Sequence, residues 1–327
     1  MQQKKVSLSD IAKILGISKS TVSFVLNNKG DKYNISKETQ KLIHAKAKEL
    51  NFVPNFFAKN LRQGKTKTIG LVVSDISNPF YGQLSKVIQE ELDKYEYKLF
   101  IVNTNDSKEL ELHTFRDLLG RSIDALIISP CNLIEDLKEI LDSTPIPVVF
   151  VDRFGDNFAD YVGVNNHREA RELTKSFSKK PKSLGIFYRE VNEISTIQLR
   201  IKGIVESCKE QKIKYELVNL NDHKNIKSKI KTMKGMDSVI TLNNRVALPV
   251  ISALNELKLM IPSDVRFISF DDSEAFEYMY TPISALRQPI DEIGKETVNQ
   301  MMRRLTDEQT RGKWVEFACE FIPRGSH

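Results

Sequence analysis

Hydrophobic residues near the start of the chain recur at the spacing of a short amphipathic helix. Ile11, Ile14 and Leu15 fall at i, i+3 and i+4, which gives a helix over Ser7–Leu15 one apolar face. Gly16 follows the last apolar residue and predicts a tight turn, because glycine tolerates the left-handed backbone that ends many helices.

A second short helix is expected after this turn. Ser18 can cap it, and Val22, Val25 and Leu26 would face inward. The side chains left on its outer face are Lys19, Ser20, Ser23 and Phe24. Two short helices joined by a tight turn predict a helix-turn-helix, whose second helix can enter a DNA major groove. A helix hairpin within some larger fold is the alternative that this stretch alone leaves open.

A third helix is predicted from Lys37 to Leu50, with Ser36 as its cap, and it would close a small core over the first two. Its inward-facing residues would be Leu42, Ile43, Ala47 and Leu50. Residues 56–64 could add two helical turns, which would need a partner because isolated helices this short are marginal in water. Residues 64–67 are expected to form a flexible exit from this region.

From Thr68 onward the pattern changes to apolar strands that alternate with amphipathic helices, the first of which is expected over about Phe80–Tyr95. The predicted strands of a first set are Ile69–Val73, Lys98–Val102, Ala125–Ser129 and Pro147–Val151; those of a second set are Tyr161–Val164, Leu184–Tyr188, Leu217–Leu220, Val239–Leu242 and Phe267–Phe270; a last strand is expected over Val315–Ile322. Apolar strands with helical crossovers predict parallel sheets covered on both faces, and this many strands favours two lobes.

Charge is distributed unevenly along the 327 residues. Residues 1–67 carry 14 lysine and arginine residues against 4 aspartate and glutamate residues. The other 260 residues carry 35 basic residues against 39 acidic ones. A basic head on a slightly acidic body points to a polyanionic partner for the head alone. A solvated lysine-rich face is the plainer explanation, but it does not predict a helix-turn-helix beside it. Together the two features favour DNA.

Other classes of protein are disfavoured by what the chain lacks. It has no apolar run of the roughly 18–20 residues that a membrane helix needs, and its N-terminus does not resemble a signal peptide. Cys131, Cys208 and Cys319 are too far apart to suggest a disulfide framework or a metal knuckle, so we expect a cytoplasmic protein without metal or cofactor.

Polar side chains follow four of the predicted strands. These residues are Asp75, Asp152, Asn243 and Asp271, two of which have a charged neighbour in Arg153 and Asp272. Ligands of open α/β sheets bind outside the carboxyl ends of the strands, so this pattern predicts a site for a small polyhydroxylated ligand between the lobes. Any one of these residues is more often a helix cap or a turn residue.

Several segments, in order along nearly the whole chain, resemble the lactose/galactose repressor (LacI/GalR) family of bacterial transcriptional regulators. The matching segments are 9–27 for the DNA-binding head, Pro54–Leu61 for the hinge helix, Ile69–Phe80 for the start of the core, and Arg200–Gly203, Ile261–Asp272 and Arg287–Pro289 for later landmarks. The resemblance implies an all-α helix-turn-helix head and a hinge helix joined to a two-lobed α/β core like a periplasmic binding protein, with parallel sheets.

The resemblance also implies boundaries for these parts. The head would span residues 1–52, the hinge helix and linker 53–67, and the effector-binding and dimerisation core 68–327. Within the core, one subdomain would span about 68–163 and 289–314, and the other about 164–288 and 315–327.

Roles for individual residues follow from the same resemblance. Lys19, Ser20 and Phe24 would read bases, Thr21, Ser23 and Asn27 would contact phosphates, and Leu61 would wedge into the minor groove. Asp75, Phe80, Asp152, Arg200, Asn243, Asp271 and Gln288 would bind the effector. Plain hinge packing is the alternative for Leu61, and a surface salt bridge is the alternative for Arg200.

The chain departs from the family pattern at four positions. Phe24 stands where many members have an arginine that pairs with guanine, so it would contact a thymine methyl or nothing. Asn165 and Asn244 replace frequent acidic residues, and Lys59 replaces an arginine of the hinge. A phosphorylated or acidic sugar would tolerate the loss of two carboxylates better than a neutral one.

The sequence therefore predicts a sequence-specific transcriptional repressor that binds palindromic half-sites of double-stranded operator DNA as a homodimer. A small molecule, a sugar or sugar derivative, would control it allosterically from the cleft. Corepression or activation would use the same parts. An α/β enzyme that acts on sugars and an unregulated architectural DNA-binding protein are the competing classes; no glycine-rich phosphate loop or nucleophile elbow supports the enzyme.

Overall fold

The computed structural model divides the chain into two compact units, Met1–Gly64 and Lys65–His327, which we describe separately. The residues that it describes are 6–52, 65–131, 134–143, 146–154, 159–189, 194–221, 226–233, 235–306 and 312–327. The predicted hinge helix, with Lys59 and Leu61, lies outside the described residues.

The first unit contains the three predicted helices, α1 (Leu8–Leu15), α2 (Lys19–Leu26) and α3 (Lys37–Glu49). A single turn of 3₁₀ helix, Asp31–Tyr33, lies between α2 and α3. Each helix begins at a serine whose hydroxyl accepts a hydrogen bond from a backbone N–H of the first turn, so the helix-turn-helix and its caps are confirmed.

The core of this unit is small, and two residues predicted to join it do not. The buried residues are Ile11, Ala12, Val22, Val25, Ile43 and Ala47. Ile14 is 55% exposed and Leu42 is 51% exposed, so their predicted burial was wrong. Each helix in so small a bundle is covered only along a narrow stripe, and both residues fall beside that stripe.

The second unit begins with a parallel six-stranded sheet. Its strands are β1 (Thr68–Val73), β2 (Lys98–Asn103), β3 (Ala125–Ile128), β4 (Val148–Val151), β5 (Asp160–Val164) and β11 (Trp314–Phe317), in the spatial order β11-β5-β4-β3-β1-β2. Helices α4 (Pro79–Asp93), α5 (Lys108–Gly120), α6 (Ile134–Ser143) and α11 (Ile290–Thr306) complete this lobe. Apolar clusters on both faces of the sheet explain why its central strands read as continuous hydrophobic runs.

The other lobe repeats this plan. Its strands are β6 (Ser183–Tyr188), β7 (Lys214–Asn219), β8 (Ser238–Thr241), β9 (Arg266–Phe270), β10 (Ser284–Arg287) and β12 (Glu320–Ile322), in the order β12-β10-β9-β8-β6-β7, and its helices are α7 (Asn166–Leu173), α8 (Ser195–Gln211), α9 (Ile226–Thr232) and α10 (Asn244–Glu256). Among the described strands of this lobe, only β12 runs antiparallel to its neighbour. The two-lobed α/β core with parallel sheets is therefore confirmed.

Two strand assignments made from the sequence were wrong. Residues 161–164 pair with β4 and β11, so they belong to the first sheet rather than to the second set. The single strand predicted over 315–322 is two strands, because the chain leaves the first sheet after Phe317 and enters the second at Glu320. Hydrophobic alternation does not reveal which of two sheets a strand joins.

The start of the second unit is held firmly, contrary to the flexible exit predicted for residues 64–67. The backbone N–H and hydroxyl of Thr66 donate to one carboxylate oxygen of Asp124, at 2.7 and 2.9 Å, and the N–H of Lys67 donates to the other at 2.9 Å. The ammonium of Lys67 also lies 4.3 Å from the ring centroid of Tyr97. The chain therefore enters the core at a fixed point.

Within the described ranges, no helix combines the length and the apolar character that crossing a membrane requires. The same residues include no group of three or more histidine, cysteine, aspartate or glutamate side chains arranged to hold a metal ion.

Candidate nucleic-acid interface and ligand cleft

The outer face of α2 carries the residues predicted to contact DNA. Lys19 and Ser20 are exposed, and Thr21, Ser23, Phe24 and Asn27 are partly exposed. The four partly exposed side chains already have partners within the head. The hydroxyl of Thr21 is 2.8 Å from that of Ser18, and the amide of Asn27 donates to the carbonyl of Ser23 at 2.7 Å. The face is accessible, and its role in binding DNA residue by residue stays a prediction.

Phe24 is not an isolated side chain on this face. Its ring stacks on that of Tyr33, with centroids 3.7 Å apart and planes 10° apart, and Tyr33 itself is 47% exposed. No role was predicted for Tyr33 from the sequence. The only available signal was the polar loop between α2 and α3, which carries one aromatic residue.

The second unit contains a cavity of about 470 Å³ between its lobes. Its lining includes all seven residues predicted for effector binding, Asp75, Phe80, Asp152, Arg200, Asn243, Asp271 and Gln288. Charged residues that the prediction did not include also line it, namely Asp106, Arg153, Arg189 and Arg245. Asp106 and Arg189 follow β2 and β6, so the strand-end pattern could have indicated them. The shared location is observed, and binding by these residues remains a prediction.

Two of the aspartates occupy equivalent places in the two lobes. Asp152 follows β4 and Asp271 follows β9, and each of these strands is third in the spatial order of its sheet. Both residues have left-handed backbone, with φ of 64° and 67°. Aspartate tolerates this conformation better than most residues, and here it turns each carboxylate out of the strand and into the cavity.

The environment of Asp152 disfavours its charge. The side chain is 7% exposed and accepts a hydrogen bond of 2.8 Å from the hydroxyl of Tyr81. Burial raises the pKa of this carboxyl, and the nearby positive charges of Arg153 and Arg200 only partly offset the effect. The same burial raises the pKa of Tyr81, so its phenol stays protonated and able to donate.

Arg200 is a buried part of the cavity wall rather than a surface ion pair. It is 3% exposed, and its Nη1 donates to the carbonyl of Leu242 at 2.6 Å and to Asp271 at 3.2 Å. Its Nε donates to Asn166 at 2.7 Å, and its guanidinium lies 3.7 Å from the ring centroid of Phe270. Planar stacking and a fixed fork of donors orient this group.

Two further arginines are paired at the cavity. Arg153 donates to Asp106 at 2.6 Å within the first lobe. Arg245, on α10, donates to Asp75 at 2.6 Å and so joins the two lobes. A hydrogen bond with Ser77 contributes most to the lowered pKa of Asp75, and Arg245 also lowers it. Arg189 has no such partner among the described residues and is exposed.

The remaining predicted residues have local roles as well. Asn243 caps α10, because its side-chain oxygen accepts from the N–H of Val246 at 3.0 Å. The amide nitrogen of Gln288 donates to Asp271 at 2.7 Å, while its oxygen is buried and has no hydrogen-bond partner in the described structure. A hydrogen bond donated by a ligand hydroxyl would satisfy that oxygen.

Neither asparagine that replaces a family carboxylate lines the cavity. Asn165 caps α7 and donates to Glu316 at 2.9 Å. Asn244 is buried at the start of α10, outside the cavity lining. The two substitutions therefore give no support to an acidic ligand, and the charge of the ligand has to be argued from the residues that do line the cavity.

Two family models match the chain. Residues 7–55 match the model described as bacterial regulatory proteins, lacI family, and residues 178–327 match the periplasmic binding protein-like domain. The HTH-type transcriptional regulator KdgR of Bacillus subtilis is 28% identical over 331 residues, covering 98% of this chain and 97% of that protein.

Solved structures share the fold of this chain. A LacI-family transcriptional regulator from Silicibacter pomeroyi superposes with a TM-score of 0.82 at 21% identity, covering 98% of this chain and 99% of that one, and shares the fold. A LacI transcriptional regulator from Alkaliphilus metalliredigens, complexed with D-xylulofuranose, is 25% identical with a TM-score of 0.69, covering 80% and 98% of the two chains.

Proposed function

We propose that this chain, a member of the LacI family of bacterial regulatory proteins and a DNA-binding transcriptional regulator, is a repressor that a small sugar or sugar derivative releases from its operator. It acts in the cytoplasm as a homodimer, so that two heads contact the two halves of a palindromic site. It performs no catalytic step of its own.

The observation that carries this proposal is the convergence of polar side chains from both lobes on one cavity. Carboxylates, amides and guanidinium groups there can accept from and donate to hydroxyl groups, and Phe80 offers an apolar surface to a sugar ring. A cavity of about 470 Å³ lies within the range typical of small-molecule sites. The sugar bound to the Alkaliphilus metalliredigens regulator supports the same class of ligand.

The charges at the cavity favour a ligand with an acidic group. Arg153, Arg200 and Arg245 are each paired with an aspartate, so each pair is close to neutral. Burial disfavours the charge of Asp152, the fourth aspartate in the described lining, because it raises the pKa of this carboxyl. Arg189 remains without a hydrogen-bond or ion-pair partner in the described part of the chain. We therefore propose a sugar that carries a carboxylate or phosphate, with Arg189 as the group that binds it.

Coupling between the cavity and DNA follows from the arrangement of the two lobes. A ligand that bridges the strand ends of both lobes stabilises one relative position of the lobes over others. The ion pair between Arg245 and Asp75 is one contact that depends on this position. The difference in operator affinity between the two states is expected to be about 1–3 kcal/mol, as in other allosteric proteins.

The test is a selection of operators from random DNA by the purified protein, repeated with a panel of neutral sugars, sugar acids and sugar phosphates. We expect an enriched palindrome whose binding an acidic sugar weakens, and Arg189→Ala should lose this response while still binding the palindrome. Strengthening by the ligand would instead indicate corepression. Enrichment of no sequence at moderate salt would refute the proposal.

A further inference from the structure

We propose that Tyr33 and Phe24 together form one base-reading element, and that Tyr33 is a specificity-determining residue of the DNA-binding head. This inference rests on the proposed function, because it concerns how the head distinguishes one operator from another. The element is the pair of stacked rings, which we call the aromatic pair.

The two stacked rings form a single contact surface. Phe24 lies one helical turn beyond Ser20 on the outer face of α2, so it belongs to the surface that faces a groove when α2 enters it. With centroids 3.7 Å apart and planes nearly parallel, Tyr33 covers one face of the Phe24 ring. Phe24 therefore cannot approach a base without bringing Tyr33, of which 47% is exposed, to the same place.

The segment that carries Tyr33 is rigidly attached to the head. The N–H of Lys29 donates to the carbonyl of Phe24 at 2.8 Å, which continues the end of α2 directly into the segment. The carboxylate of Asp31 accepts from Lys37 at 2.7 Å and from the side-chain amide of Gln40 at 2.9 Å. These contacts hold the aromatic pair in place before DNA binds, so little conformational entropy is lost on binding.

A second contact with α3 supports the same conclusion. Gln40 also donates to the carbonyl of Ile35 at 2.7 Å, at the far end of the segment. Gly30 is buried beneath the amide of Gln40, and a Cβ atom there would overlap that amide. The segment between α2 and α3 is thus a folded part of the reading surface rather than a loose loop.

The chemistry of the aromatic pair indicates what it reads. Neither ring can pair with guanine as an arginine does, whereas both can make apolar contact with the 5-methyl group of thymine in the major groove. Stacking covers one face of each ring and leaves the outer faces and the edges of both rings available to that methyl group. The pair is therefore expected to prefer a thymine at one symmetric position in each half-site, and the hydroxyl of Tyr33 is not needed for that preference.

The test measures binding of the full-length protein to its selected operator and to a set of operators in which each base pair is replaced in turn. The variants are Tyr33→Ala, Phe24→Ala, the double variant and Tyr33→Phe. Tyr280→Ala serves as the matched control, since Tyr280 is 96% exposed and lies in the other unit.

We expect Tyr33→Ala and Phe24→Ala to reduce discrimination at the same position, each by about 5- to 10-fold. This corresponds to about 1–1.4 kcal/mol and lies at the low end of the cost of one mismatched base pair. The double variant should lose no more than either single variant, and Tyr33→Phe and Tyr280→Ala should match the wild type.

Unchanged discrimination by Tyr33→Ala would overturn the inference, and so would an equal loss of affinity for every DNA, which indicates a merely structural role. In both cases the wild-type protein still selects an operator, and the proposed function stands. A wild-type protein that selects no operator removes both the function and the inference.

Discussion

Replacing Arg200 with alanine removes a buried cation on which three acceptors depend. Asp271, Asn166 and the carbonyl of Leu242 would each lose a hydrogen bond, and Asp271, which is 7% exposed, would keep only the hydrogen bond from Gln288 among the contacts described above. Removing one partner of a buried ion pair typically costs about 3–5 kcal/mol, because the other charge is left uncompensated. We expect a loss of stability of that size in the second lobe.

The assay is urea unfolding of the full-length protein, followed by circular dichroism, as a double-mutant cycle. Asp271→Asn removes the carboxylate that lacks its arginine partner in Arg200→Ala. The double variant Arg200→Ala/Asp271→Asn should therefore be more stable, by about 1–3 kcal/mol, than the summed losses of unfolding free energy of the two single variants predict. Arg189→Ala is the matched control: it removes an exposed cavity arginine without a partner among the described residues and should leave the unfolding free energy unchanged.

A loss of less than about 1 kcal/mol for Arg200→Ala would refute this reasoning, because it is the value expected of a solvent-screened pair. An additive cycle would refute it too, since the two residues would then not be coupled. The control also separates binding from folding: Arg189→Ala is expected to lose ligand affinity while remaining fully folded, and Arg200→Ala is expected to lose both.

Three further changes give distinct outcomes. Asp152→Asn should stabilise the protein at pH 7, because burial raises the pKa of the Asp152 carboxyl and penalises its charge. This gain in stability should shrink as the pH falls through the raised pKa towards 3.8, where the carboxyl of the folded wild-type protein is neutral too. Thermal unfolding of both proteins at several pH values would measure the difference. Gly203→Ala should lower the free energy of unfolding in urea by about 1–3 kcal/mol, because the new methyl group would overlap the carbonyl of His167 between α7 and α8. The control Gly120→Ala, which has open space around the new methyl group, should not lower it. Arg245→Ala removes an ion pair that joins the lobes. Because that pair is partly exposed to solvent, stability should change by less than about 1 kcal/mol, while calorimetry should detect weaker ligand binding.

Much of the head and the cavity could be predicted from local sequence. Ser7, Ser18 and Ser36 cap their helices as expected, because capping depends on residues within one turn. The polar residues after the strands meet at one cavity, because the carboxyl ends of parallel strands share one edge of a sheet.

The features that could not be predicted depend on contacts between distant parts of the chain. The exposure of Ile14 depends on whether a neighbouring helix covers it. The stacking of Tyr33 on Phe24 depends on how the segment between α2 and α3 packs against α2. Arg245 and Asp75 are 170 positions apart, and no local pattern indicates that they meet.

The last two strands have a consequence for how the protein is made. Trp314–Phe317 completes the first sheet beside β5, and Glu320–Ile322 completes the second beside β10. During synthesis, the described residues that pack the core of the head, the last of which is Phe52, are made first, whereas both lobes lack an edge strand until almost the whole chain has left the ribosome. The DNA-binding head can therefore fold long before the ligand sensor does, and the two lobes of that sensor mature together when nine residues, 314–322, arrive.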